Sequence, residues 1–482
     1  MHIVDMVYFW ARTSPRRPAV IEPAGSMTYA AFAHAVEAAA EHFAQNIADK
    51  PRPVAVSIQT GSKMLVALLG LLRAGFDVVL ANNALLKHLP STGANTLVYE
   101  RDGVTLDGGT NILFDENWQS FGTKAETENR PLPRSRTEGG NILCFTSGTT
   151  GRPKAVVCPQ NSWQQRALFP LNSAFASYER ILIVPSLATS WGLSRAYEAL
   201  HAGRTVCLAP PGATMLWLAN TFDVDTILAS PQQALELAEL QEKVTHFPLA
   251  ALKSFQIGAS AIGRNSVQRI KNSICRNVIM IYGSTEAGVV AAAPYDMIAD
   301  VPGAVGVIVP GVDVEIVDAT DRVLPIGSEG FVRVRSRVLA ENMAATQSSG
   351  EWFYPGDLGS ITDNNILCIA GRSSDVVNRG GEKLSIPDLE NFLMTCFGVQ
   401  DAGVCTVVGE TGFSEVWVGL VLAPAAEMAA LRHAIESNTQ YKNYIDKIFV
   451  IEFVPRGTLG KVQREELKSM LQAIGEDNDS IN

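Results

Sequence analysis

The sequence predicts an α/β protein of two or more domains, and three observations carry that prediction. At 482 residues the chain exceeds the ~100–200 residues that one compact core usually organises. Helical and strand-like patterns alternate through the first three hundred residues, the mark of a sheet covered by crossover helices. The texture then changes near Gly303 to short alternating segments separated by Gly, Pro and Asp, and changes again after Gly371. Hydrophobic residues make up 47% and charged residues 18%, with mean hydropathy +0.11, which fits a well-packed chain and excludes a largely disordered one.

Taken in order, residues 30–43 repeat apolar side chains at helical spacing, and residues 53–58 read as a short strand. The apolar run 64–72 stops at Arg73, about half the ~20 residues of a membrane span, and reads as a buried helix. Residues 180–185, 205–208, 226–229, 254–258 and 278–282 are β-rich runs ending near small or turn residues. Parallel strands with crossover helices fit them best. Residues 312–317 and 330–335 alternate strictly and predict antiparallel hairpins, a small barrel or sheet attached to the α/β core. Past Gly371 a charged stretch leads into a fresh β/α alternation and a polar tail from Gly475. The division is therefore 1–370 and 371–482.

Thirty-nine Lys and Arg against 49 Asp and Glu give a net charge of −10. An acidic balance argues against broad contact with nucleic acid or anionic membrane, and leaves room for a local basic pocket around one phosphorylated ligand. Seven cysteines with no C-x-x-C pair suggest neither a zinc ribbon nor a disulfide framework, so a reducing cytoplasm is the expected compartment. Asp5 stands where a signal peptide would be basic, and Arg12, Arg16 and Arg17 follow the short apolar stretch, so no export is expected. The seven histidines are scattered, without ligand spacing, and take no metal or triad role.

The most specific segment is Thr146-Ser147-Gly148-Thr149-Thr150-Gly151-Arg152-Pro153-Lys154, preceded by the apolar run 142–145. Small hydroxyl and glycine residues let a loop wrap an anion with backbone N–H and hydroxyl donors, while Arg152 or Lys154 adds positive charge. It is not a Walker A loop, because the residue five places after Gly148 is Pro153 rather than glycine. Composition alone fits an ordinary polar turn equally well.

This segment resembles the phosphate loop of the adenylate-forming superfamily, which includes acyl-CoA synthetases, peptide-synthetase adenylation domains and luciferases. Four further segments match in the family's order. Tyr282-Gly283-Ser284-Thr285-Glu286 resembles its adenine and magnesium motif, and Tyr354-Pro355-Gly356-Asp357 its ribose motif. Gly371-Arg372-Ser373-Ser374-Asp375 resembles its interdomain hinge, and Pro455-Arg456-Gly457-Thr458-Leu459-Gly460-Lys461 its catalytic-lysine loop. Weaker matches at Met27-Thr28-Tyr29 and Leu72-Arg73-Ala74-Gly75 extend the likeness over nearly the whole chain. The resemblance implies a large N-terminal adenylation domain of stacked α/β subdomains plus a small barrel-like one, followed by a small mobile α+β lid.

It also implies site roles. Thr146, Ser147, Gly148, Thr149, Thr150, Gly151 and Lys154 would hold phosphate, and Gly258, Ala259, Ser260, Gly283 and Ser284 would line the nucleotide site. Tyr282 would stack on adenine, although core packing competes for any single aromatic. Asp357 would accept hydrogen bonds from both ribose hydroxyls, with Arg372 as a second contact. Thr285 would donate to the α-phosphate, Glu286 would hold Mg2+, and Lys461 would bridge substrate carboxylate and α-phosphate. Each has a plainer reading: a solvated strand-end Glu, a turn-capping Asp, a surface Lys. The order of five motifs tips the balance.

For the second half-reaction, Ser374 occupies the hinge position, where the family commonly has Asp or Lys. Gly381, in Asn378-Arg379-Gly380-Gly381-Glu382-Lys383, would line a pantetheine passage. In the acid-pocket segment Val184-Pro185-Ser186-Leu187-Ala188-Thr189-Ser190-Trp191-Gly192 the family's His or aromatic is missing unless Trp191 serves, which predicts a reshaped pocket walled by Ser190 and Trp191. Arg195 is read as a helix-surface residue or as the partner of a second carboxylate. The function expected is ATP- and Mg2+-dependent activation of a carboxylic acid and transfer to CoA. The rivals are loading of a carrier protein and a non-catalytic nucleotide-binding role.

Overall fold

The computed structural model describes residues 3–47, 53–59, 61–100, 105–114, 140–147, 153–168, 177–339, 352–372, 376–379, 382–408, 414–424, 426, 428–438, 441–442, 444–457 and 460–479. Two large sheets organise the chain up to Arg372. The parallel part of the first runs Pro18–Glu22, Thr205–Cys207, Arg180–Ile183, Thr226–Ala229, Ser254–Gly258 and Val278–Ser284, side by side in that order. Strands such as Thr226–Ala229 and Ser254–Gly258 are buried at every position, because helices cover both faces. The helix Pro231–Lys243 starts on a capping box in which Ser230 and Gln233 satisfy each other's backbone N–H groups.

Beyond Val278–Ser284 the same sheet turns antiparallel through Gly288–Pro294, Ala304–Ile308, Ile366–Arg372, Asp357–Ile361, Gly330–Ser336 and Val312–Val317. The hairpins expected as an attached barrel or sheet are thus hydrogen-bonded into the main sheet. They are also curled. Tyr282 and Asp357 stand four strands apart, about 19 Å on a flat sheet at ~4.8 Å per strand, yet their side chains are hydrogen-bonded. Register shifts at Ala304/Gly306 and Leu358/Gly359 supply bends of the kind bulges produce.

The second sheet carries Thr110–Leu113, Thr96–Tyr99, Val54–Ser57, Val78–Leu80 and Ile142–Ser147 in parallel, closed by Pro153–Cys158 in antiparallel. Helices Tyr29–Asn46 and Gly61–Ala74 join the two sheets in one apolar core. They approach so closely that a methyl on Gly70 would lie 2.7 Å from the Ala39 Cβ. The run 64–72 is the buried helix its composition predicts.

After the hinge motif a three-stranded sheet, Val399–Val408, Ser414–Leu422 and Ile445–Val450, buries both faces. Ala402 and Val404 pack with helices Ile386–Thr395 and Met428–Ser437, while Cys405 and Val407, of opposite parity, pack under helix Arg464–Asp479. No helix among the described residues is long and apolar enough to cross a membrane.

Candidate active site

The site is built around the hairpin of Val278–Ser284 and Gly288–Pro294, whose tip carries Thr285 and Glu286. A methyl on Gly283 would fall 2.1 Å from the Gly288 carbonyl oxygen, so only glycine lets these strands close, and the Ser284 Oγ accepts from the Ala287 N–H at 3.0 Å. Glu286 lines the main cleft and makes no hydrogen bond or ion pair among the described residues.

Asp357 and Arg372 are direct cross-strand partners, which brings two motifs fifteen residues apart in sequence to 3.7 Å between Arg372 Nε and Asp357 Oδ1. Gly356, at φ +81°, forms the turn that aims Asp357. The Tyr282 hydroxyl donates to Asp357 Oδ2. Burial, and then the adjacent Asp357 carboxylate, push the Tyr282 phenol well above its ordinary range, so it remains a donor. Tyr282, Asp357 and Arg372 therefore form one polar cluster, with Tyr282 held by its hydroxyl as well as by packing.

The ends of the phosphate-loop motif lie on strands Ile142–Ser147 and Pro153–Cys158, where Thr146 pairs with Lys154 and the Lys154 side chain is exposed at the cleft. Ser147 is described only as the end of its strand, and Gly148, Thr149, Thr150 and Gly151 lie outside the described residues, as do Ser374 and Gly381.

Helix Ser190–His201 begins at a Thr189 cap whose hydroxyl accepts the Gly192 N–H at 3.2 Å. This sets buried Ser190 and half-buried Trp191 on the cleft wall. A methyl on Gly258 would stand 3.0 Å from the Trp191 ring, so the indole lies over the end of strand Ser254–Gly258. Ala259 follows at φ +79°, a conformation that costs a non-glycine residue, and it lines the cleft with Ser260. The helix-surface reading of Arg195 is corrected: the residue is 2% exposed, paired with Glu198 one turn on, and its Nη2 donates to Gln256 Oε1 at 3.1 Å. Glu198 occupies the guanidinium because both side chains lie on the buried face of the helix, so Arg195 meets a carboxylate of the chain itself.

Two arginines were given no role by sequence reasoning. Arg166, on helix Gln160–Leu168, is buried on the cleft wall and donates to the Thr285 carbonyl at 2.6 Å. Its carbonyl partners, Thr285 and Val338, lie more than a hundred residues away and Ser190 lies 24 away, so no local pattern marks it. Arg456 clamps Asp401 with Nε at 3.1 Å and Nη2 at 2.6 Å, and donates from Nη1 to the Gly460 carbonyl at 2.7 Å. It thereby fixes the turn that presents exposed Lys461, where the Gly457 N–H donates to the Lys461 carbonyl at 2.8 Å. That arginine stands inside the lysine motif, and its spacing was the available signal.

Thr285, Glu286, Tyr282, Asp357, Arg372, Lys154 and Lys461 all line a single cleft of about 2740 Å3. That is several times the ~300–1,000 Å3 of a pocket for one small ligand. The sequence profile of the AMP-binding enzyme family matches residues 8–342. The chain belongs to this family. It is 24% identical over 475 residues to the uncharacterized acyl-CoA ligase YhfT of Bacillus subtilis (96% of this chain, 97% of the relative). It is 26% identical over 490 residues to a 2-succinylbenzoate–CoA ligase of Bacillus pumilus (95% and 96%). Among solved structures it resembles o-succinylbenzoate CoA synthetase of Bacillus subtilis in complex with an acyl-adenylate intermediate, at TM-score 0.83 and 22% identity over 96% of this chain and 98% of that one.

Proposed function

We propose that the protein is an AMP-forming acid–thiol ligase, which joins a carboxylic acid to ATP as an acyl adenylate, releases pyrophosphate, and passes the acyl group to CoA with release of AMP. The observation that carries this reading is the convergence of five separated motifs on one cleft that also fits more than one ligand. The membership in the AMP-binding family and the acyl-CoA ligases among its relatives support it.

The chemistry must bring two anions together, so the site has to offset their repulsion and align the attack; no protein nucleophile is needed. Tyr282, Asp357 and Arg372 hold the adenosine, with Asp357 accepting from the ribose hydroxyls. Lys154 and the segment 146–151 hold phosphate, alongside Ala259 and Ser260. Thr285 donates to the α-phosphate, and Lys461 bridges it to the attacking carboxylate as charge builds. Glu286, at the hairpin tip, has no hydrogen-bond or ion-pair partner among the described residues and would suit a hard divalent cation as an oxygen ligand. No cluster of three or more His, Cys, Asp or Glu among the described residues offers a closed cage instead. Mg2+ held there would neutralise phosphate charge.

The division at residue 371 belongs to the same reading: residues 1–370 hold nucleotide and acid, and residues 371–482 form a lid that carries Lys461. Ser374 is its pivot, and Gly381 lines the path of the pantetheine arm once the lid turns.

Incubation with ATP, Mg2+, CoA and a library of carboxylic acids is expected to release AMP and pyrophosphate with at least one acid, and to lose ~100- to 1,000-fold of that rate in Lys461→Ala. Absence of AMP with every acid sinks the proposal. Replacing CoA by carrier proteins separates the two acceptors, and CoA is the one expected to accumulate thioester.

A further inference from the structure

We propose that Arg166 is a positioning residue for the adenylation step: its guanidinium sets the peptide unit between Thr285 and Glu286 and so aims both side chains at the phosphates of the nucleotide. The inference rests on the adenylate-forming reading above, which gives Thr285 the α-phosphate and Glu286 the cation. Arg166 is 9% exposed, and its Nη2 donates to the Thr285 carbonyl at 2.6 Å. A peptide unit is planar from one Cα to the next, so a hydrogen bond that fixes this oxygen also fixes the plane in which the Cα atoms of Thr285 and Glu286 both lie. Within the tip, the Ser284 Oγ takes the Ala287 N–H, and the flanking Gly283 and Gly288 bring no side chain to brace it.

The guanidinium is itself held from several sides. Its Nη2 also lies 3.4 Å from the Val338 carbonyl, and its Nη1 donates to the Ser190 Oγ at 3.4 Å. It stands 5.2 Å from the centre of the ring of Trp163, a fully buried residue three places back on the same helix. A planar fork of donors can serve such scattered acceptors at once and stack on an aromatic face, which a lysine cannot. Helix Gln160–Leu168 follows strand Pro153–Cys158, which carries Lys154, after the single residue Pro159. One arginine thereby ties the strand at the end of the phosphate-loop motif to the hairpin tip and to the start of helix Ser190–His201.

These acceptors are all neutral, and no carboxylate among the described residues pairs with Arg166. Arg195 has Glu198 to offset the loss of water around its charge; Arg166 has no such partner, so the fold gains little stability from it. Replacement by Met removes a buried charge and a buried hydrogen bond together, two changes that oppose each other in stability. They do not oppose each other at the tip, where only the hydrogen bond to Thr285 is lost. Activity and stability should therefore part company.

The experiment measures calorimetric affinities for adenosine and for AMP, pyrophosphate release with the best acid, and Tm, in the wild type, Arg166→Met and Arg166→Lys. Adenosine lacks the α-phosphate, so the ratio of the two affinities reads the Thr285 contact without turnover. Arg166→Met is expected to lose about tenfold or more of the AMP advantage, with adenosine affinity within about twofold of the wild type. Its kcat should fall about tenfold to a hundredfold, the worth of one charge-assisted hydrogen bond, while Tm moves by less than about 4 °C. Arg166→Lys, which keeps a donor for one carbonyl, should restore part of both losses. Equal losses of adenosine and AMP affinity in Arg166→Met, or a kcat within twofold of the wild type, overturn the proposal. Should Arg166→Met not fold, Arg166→Lys carries the test: an intermediate loss in AMP affinity and kcat at unchanged adenosine affinity is expected, and wild-type values overturn it. A wild type that binds AMP no better than adenosine overturns the proposal together with the role given to Thr285. An AMP advantage that disappears in Arg166→Met, in a protein that releases no pyrophosphate with any acid, contradicts the ligase reading alone.

Discussion

At the scale of single residues, the contact between Tyr282 and Asp357 is the one with most to say about nucleotide binding. Asp357 is 9% exposed and receives the Tyr282 hydroxyl on Oδ2, while Arg372 stands 3.7 Å from Oδ1. A carboxylate fixed from both sides would lose little freedom on taking up ribose, the role proposed for it. Tyr282→Phe keeps the ring, and with it the proposed stacking on adenine, while Asp357 loses a charge-assisted hydrogen bond. The expected cost is about 1.5–3 kcal/mol, seen as a rise of roughly tenfold to a hundredfold in KM for ATP with KM for the acid unchanged. A KM for ATP within twofold of the wild type would show that the phenol only packs.

At the scale of elements, the hairpin tip shows how backbone sets chemistry. Gly283 and Gly288 approach so closely that Gly283→Ala must displace the Gly288 carbonyl, and with it the turn that holds Thr285 and Glu286. The core beneath stays intact, so the stability loss should be modest, about 1–3 kcal/mol, while acyl-adenylate formation should fall much further. Melting temperature and pyrophosphate release measured on one preparation check this, and proportionate losses in both would contradict it. The sequence made this element readable because local pattern and site coincide there: an apolar strand, a glycine, then Thr and Glu. The parallel strands were legible for a similar reason, each being a run of β-rich residues buried on both faces. Arg166 was not legible, since its role depends on carbonyls of Thr285 and Val338 that only the fold brings near. Nor was the burial of Arg195, whose carboxylate partner lies one helical turn away and looks in sequence like a surface pair. The curl that joins Tyr282 to Asp357 was equally hidden, because alternation shows that strands exist and says little about which sheet they extend.

At the scale of the whole molecule, the buried phenols set an upper pH limit on the fold. Tyr8, Tyr29, Tyr178, Tyr197 and Tyr282 all have pKa values pushed far above the ordinary 10, burial being the largest cause for each. They belong to different parts of the large core: Tyr8 beside Glu37, Tyr29 on the Leu200 and Arg204 carbonyls, Tyr282 at the Asp357–Arg372 cluster. Below about pH 10 these phenols are neutral in both folded and unfolded chains and leave stability unaffected by pH. Above it the unfolded chain releases their protons while the folded chain keeps them, so the unfolded state binds fewer protons and stability falls as pH rises. Each fully shifted phenol contributes a slope of about 1.4 kcal/mol per pH unit, and five acting together about 7, comparable to the whole ~5–15 kcal/mol of a typical domain. The burial that raises the Cys207 thiol to about 12 adds in the same direction. Stability to denaturant should therefore change little as pH approaches 10 and collapse within one or two units above it. Phenolate absorbance from the buried set should then appear in the same transition as the loss of near-ultraviolet circular dichroism. Gradual ionisation of all ten tyrosines while the circular dichroism stays native would mean that the core admits water, and that the Tyr282–Asp357–Arg372 cluster is open to solvent along with it.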